Sequence, residues 1–121
     1  MKIGIKEIID HGTHESERIL LSVKENCNLV RYIIADNTYL NKYAVSNKVR
    51  HTYWFTSQKV IAGDEILVYT GKGKNSQESI KNSQNTRYIF FWGLDINVWN
   101  NNLDSAILIE VNDTDTKVVK V

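Results

Sequence analysis

Gly71-Lys72-Gly73-Lys74-Asn75-Ser76 is the segment whose residue types come nearest to chemistry. Glycines let backbone amides approach an anion and lysines supply charge, the ingredients of a phosphate cradle. The Gly-x-x-x-x-Gly-Lys-Ser/Thr spacing is missing and no helical pattern follows, so nucleotide binding is not expected. A less demanding use of the same region is a cationic patch of Lys72, Lys74, Lys81 and Arg87, which would touch phosphates without reading bases. Weak, salt-dependent nucleic-acid binding is what such a patch predicts. Tyr53 and Trp54 are the candidates for stacking on a carbohydrate or surface polymer.

Other constellations carry less. His11, His14, Glu15 and Glu17 include good Zn²⁺ ligand types, but residues three apart on a strand point to opposite faces, and Gly12-Thr13 predicts a turn. Asn112-Asp113-Thr114-Asp115 offers oxygens without the frame of a calcium loop and reads as a turn. Nucleophilic catalysis would need Cys27 or a serine beside a histidine such as His51 and an orienting acid, and the linear order identifies no such set. Asp64-Glu65 and Asp104 sit at expected strand entries rather than as a paired acid and base. The expectation is therefore no enzyme, no cofactor and no metal, with Cys27 a small buried residue.

The elements that must position these residues are strands, because apolar residues recur with period two. Ile3, Ile5 and Ile8 mark a first strand, and Ile19, Leu21 and Val23 a second with Arg18, Ser22 and Lys24 facing water. Leu29 to Ala35 is more continuously apolar, as expected of a strand buried on both faces. Further strands are expected over Arg50 to Thr56, Glu65 to Thr70, Arg87 to Trp92, Ser105 to Val111 and Lys117 to Val121. Tyr88, Phe90 and Trp92 share one face of their strand, Ile89 and Phe91 the other. Such a strand is central or faces a partner. The polar stretch 71–85 is long for a connection and reads as a binding loop or mobile insertion.

With 121 residues and no internal repeat, one domain over 1–121 is expected. Proline is absent, so turns fall to Gly, Asn, Asp and Ser, as in Asn100-Asn101-Asn102. A formal net charge of +1 provides no global field for a polyanion. One cysteine excludes an intrachain disulfide. Lys2, Lys6, Glu7 and Asp10 interrupt any h-region near Met1, so neither a signal peptide nor a membrane partner is expected, and the composition leans to the cytoplasm.

Phe55, Gly63, Tyr69-Thr70-Gly71-Lys72-Gly73, Trp92-Gly93, Trp99-Asn100-Asn101 and Asp104-Ser105-Ala106-Ile107-Leu108, taken in order, resemble the lamin tail domain in its bacterial forms. Glu17 to Asn26 is similar to that family's Glu-x-Val-x-Leu-x-Asn strand, and Leu29 to Asp36 to its Leu-x-Gly-Trp-x-Leu-x-Asp segment. The resemblance is strongest over 50–111. Tyr32 stands in place of Trp, Arg31 in place of Gly, and Leu103 where Gly precedes the Asp, so Asn102 is expected to take the positive φ there. The resemblance implies an all-β, immunoglobulin-like two-sheet β-sandwich of about seven to nine strands with no conserved reaction. It also implies a recognition unit for a protein partner, with an edge strand, the loop 71–85 or an aromatic patch as docking surface and self-association as one outcome.

Overall fold

The computed structural model describes residues 1–41, 44–45, 48–99 and 103–120, with backbone alone at 38–41 and 44–45. Among the described residues eleven strands follow in order: β1 Ile3–Ile9, β2 Arg18–Val23, β3 Cys27–Asn28, β4 Tyr32–Asn41, β5 Ala44–Val45, β6 Thr52–Trp54, β7 Lys59–Val60, β8 Glu65–Tyr69, β9 Ser76–Ser79, β10 Thr86–Phe91 and β11 Asp104–Glu110. The chain is all-β, a two-sheet β-sandwich. The count exceeds the expected seven to nine because short pairs, such as Cys27–Asn28 with Lys59–Val60, lie below the length at which alternation is visible.

One sheet runs β1-β2-β8-β10-β9; the second runs β11-β4-β5, with β6 also pairing β4. Their inner faces close on one core. Ile3, Ile19, Leu21, Ile66, Val68 and Phe90 come from the first sheet, Tyr32, Ile34 and Leu108 from the second, with Phe55 and Trp99 between. Tyr88 and Trp92 pack against this core as the alternation predicts. Tyr53 meets Phe55 edge-on at 5.1 Å and lies 5.9 Å from Trp92, whose ring in turn meets Trp99 at 6.0 Å.

Three segments depart from expectation. Leu29–Arg31 is a 3₁₀ turn rather than the start of a strand, because the Asn28 side chain accepts the N–H groups of Val30 and Gln58, both at 3.0 Å, and curls the chain before β4 begins. The stretch 71–85 is not a loop throughout. β8 and β10 are parallel, and parallel neighbours cannot be joined by a tight turn, so the connection is long by necessity and contributes β9 to the edge of the sheet. Residues 117–120 form no strand, and Val121 and the 100–102 turn lie outside the described residues.

Leu103 itself takes a φ of +72°. The left-handed turn that the resemblance assigns to a glycine is thus formed by a residue with a side chain, and that side chain is 57% exposed.

Candidate functional site

In an antiparallel sheet, residues directly opposite one another share a face. Leu108, Ile34 and Tyr53 stand in one such row and face the core. The next row, Ile109, Ile33 and Trp54, must face outward, as must Ile107; Ala35 lies on the same face but is covered, 0% exposed. Ile33, Ile107 and Ile109 are half-buried there, and Trp54 is 49% exposed. The Trp54 indole is nonetheless held, its Nε1–H donating to the Val30 carbonyl at 2.7 Å. The outer face of the second sheet is therefore an apolar strip ending in a fixed aromatic ring.

This strip continues over the edge of the sheet. β11 pairs with β4 in unbroken register from Asp104 to Glu110, and among the described residues no strand pairs with its other edge. Proteins protect such edges with lysines, bulges or brevity. β1 has Lys6 and a register shift between Ile5 and Glu7, and β9 is short and polar. β11 has none of these protections over Ala106-Ile107-Leu108-Ile109. Between β11 and β1 the sandwich opens into a cleft of about 440 Å³, lined by Met1, Ile3, Gly4, Ile5, Lys24 and Ala106 to Leu108. Ile5 shares the inward face of β1 with Ile3 yet is 39% exposed, because the seam is unfilled.

A smaller groove of about 240 Å³ lies at the other side of the sheet. Trp54, Val30 and Arg31 form one wall, and residues 111–114 the other. The Val111 N–H donates to the Arg31 carbonyl at 2.7 Å and brings the chain across the start of β4 toward Trp54.

Two of the cationic residues singled out by sequence are engaged by acids. Arg87 lies between Glu65 and Glu78 in a cross-strand row, bonded to them at 2.8 and 3.0 Å, and both carboxylates raise its pKa. Lys72 pairs with Asp95 at 2.7 Å on the exposed surface. Lys74 precedes β9 and Lys81 follows it, so β9 separates them. Tyr53 and Trp54, adjacent in sequence, are divided by alternation: Tyr53 is in the core, where burial raises its pKa, and Trp54 is outside.

Acidic side chains are used to tie loops. Glu17 is 1% exposed and its carboxylate accepts four hydrogen bonds: Gly12 N–H at 2.8 Å, Thr70 Oγ1–H at 2.9 Å, Val98 N–H at 2.7 Å and Trp99 N–H at 3.1 Å. Asp36 accepts the His51 N–H at 2.7 Å, meets its Nδ1 at 3.0 Å and pairs with Arg50 at 3.0 Å. Cys27 lies elsewhere, beside Lys2, Tyr32 and Glu110. Asp36 is four positions along β4 from Tyr32, roughly 13 Å at a strand's rise. His51 and Cys27 thus belong to separate clusters. Burial raises the Cys27 pKa more than Lys2 lowers it, which keeps the thiol protonated and a weak nucleophile. Among the described residues no three His, Cys, Asp or Glu side chains converge on a metal-sized site.

What the architecture presents is an open strand edge beside a largely apolar cleft on a β-sandwich. No family model matches the chain, nor does any curated protein or solved structure. Sequence reasoning named an edge strand in general terms but not β11 or the cleft beside it. The signal for β11 was the doubled apolar pattern of Ala106 to Ile109, in which both faces of a strand are greasy.

Proposed function

We propose that this chain is a non-catalytic binding module, lamin-tail-like in character, whose ligand is an extended protein segment laid along the free edge of β11. The ligand's main chain pairs with the strand, and its alternate side chains enter the β1/β11 cleft. The observation that carries this reading is the seven-residue edge of β11, unprotected beside a cleft lined by Ile5, Met1 and Ala106. Main-chain pairing supplies affinity with little demand on ligand sequence, while the cleft selects apolar residues at every second position.

Peptides selected from a displayed random library on the immobilised chain test this, with binding mapped by amide hydrogen exchange. Slowed exchange across Asp104 to Glu110 is the expected result. Protection confined to 71–85 would move the docking surface to β9 and overturn the assignment.

The held indole of Trp54, with Arg31, Asn112 and Asp113 around the adjoining groove, favours a second reading, carbohydrate stacking. Quenching of Trp fluorescence by soluble glycans, lost in Trp54→Ala, supports it; unaltered fluorescence across a glycan panel removes it. No comparable cluster supports nucleic-acid binding, since Lys72 and Arg87 are already paired with acids.

A further inference from the structure

We infer that the segment occupying the β11 edge is residues 113–120 of a second copy of this chain, an inference that rests on the edge-docking reading above. Residues 111–120 follow β11 without forming any strand. Val118 and Val119 are 71% and 87% exposed, among the most exposed apolar side chains in the described structure. Thr114, Thr116, Val118 and Val119 are β-branched, the type that favours extended pairing. Among the described residues, then, a strand-forming segment has no strand partner and the outer edge of β11 has no paired strand.

The two are chemically complementary. In an extended segment, Asp113, Asp115, Lys117 and Val119 share one face, and Thr114, Thr116, Val118 and Lys120 the other. The cleft is lined mostly by apolar residues, with Lys24 the one charged side chain and the Met1 ammonium a second positive charge. Val119 matches the apolar lining, and the same face, with Asp113 and Asp115 against Lys117, presents a net negative charge to Lys24.

The chain's own segment is directed away from its own cleft. To fold back on β11 it would have to turn immediately after Glu110. There Val111 is bonded to the Arg31 carbonyl, and the Arg31 guanidinium donates to the Asn112 carbonyl at 3.5 Å. Residues 111–114 then line the groove beside Trp54, on the far side of β4 from the cleft. Donation to a neighbour needs no such reversal. Because donor and acceptor are different surfaces, the contact is head-to-tail, or closes when two copies exchange segments reciprocally.

Light scattering on the full chain, followed from micromolar to submillimolar concentration, tests the inference together with two variants. Val119→Asp alters an 87% exposed side chain and leaves the protomer fold intact, while Ile5→Glu places a charge in the cleft. The expected result is a concentration-dependent mass rising toward at least twice the 14.0 kDa of the protomer, lost in either variant alone. An equimolar mixture of the two variants should regain association, because it restores one intact segment to one intact cleft.

A chain that stays monomeric throughout overturns the inference, as does association that persists in Val119→Asp. So does a monomer in which Val119→Asp speeds exchange at its own β11 amides, which would mean that the segment folds back. Library-selected peptides separate this failure from failure of the underlying reading. A monomeric chain whose β11 amides are protected by such a peptide keeps the edge and loses only the second copy; protection elsewhere removes both.

Discussion

Three separate segments converge on Glu17. Its carboxylate holds the β1–β2 turn through Gly12, the end of β8 through Thr70, and the aromatic segment through Val98 and Trp99. Truncation leaves buried donors unpaired, each at a cost of roughly 1–3 kcal/mol before water enters. Glu17→Ala is therefore expected to lose about 3 kcal/mol or more in urea unfolding, and Glu17→Gln less, since one acceptor oxygen survives. Leu103 gives the opposite expectation. A φ of +72° is unfavourable for a residue with a Cβ, and its exposed side chain contributes little packing. Leu103→Gly should raise stability by about 0.5–1 kcal/mol, seen as a higher urea midpoint.

β10 and its neighbours show how one element is covered on both faces. Inside, Phe90 joins the core; outside, Phe91 stacks on Tyr69 at 5.0 Å, and Arg18 lies 5.4 Å from the Tyr69 ring centre. Gly73 completes this stack. A Cβ added there would stand 2.4 Å from the Phe91 ring, so only glycine lets the connection lie flat on the aromatic face. Asn75 fixes the same segment by accepting the Phe91 N–H at 3.0 Å. Gly73→Ala is expected to cost about 1–3 kcal/mol and to speed amide exchange across β9 before the rest of the sheet. Unchanged exchange there would show that the 71–75 segment moves aside without consequence.

At the scale of the whole molecule, stability rests on the shared core and on acids that join distant segments. Trp99 is 2% exposed, packs edge-on against Trp92 and donates its Nε1–H to the Ser105 carbonyl at 3.1 Å. Trp99→Ala should cost about 3–5 kcal/mol by denaturant titration. Asp64 joins β8 to the start of β10. Burial opposes its charge, but the N–H groups of Ile61 and Thr86 and the Asn85 carboxamide outweigh that and hold its pKa below the ordinary 3.8. The unfolded chain therefore takes up this proton first as pH falls. The stabilisation is complete well above the ordinary value, begins to fade near it and is lost once the pH passes the lower folded value. Asp64→Asn should be less stable than the native chain at neutral pH and should lose less stability on acidification, measured by urea midpoints along a pH series.

Alternation made much of the architecture legible in the amino-acid order. Ile3, Ile19, Leu21 and Val23 were placed on buried faces by period two alone, because a strand's pleat reports burial locally. Short pairs such as β3 with β7 were not legible, since two residues carry no period. The role of the 71–85 segment was not legible either. Its length follows from the parallel pairing of β8 and β10, a relation between strands that no local window contains. The candidate site divides along the same line. The residues of the β11 edge were visible as a doubly apolar run, but a run of this kind is equally the mark of a strand covered on both sides. That β11 is an edge, that β1 stands across an open seam from it, and that Arg87 and Lys72 are already matched by acids were decided only when the sheets packed. Local sequence sets which way a side chain points, whereas exposure and pairing depend on what the rest of the chain brings against it.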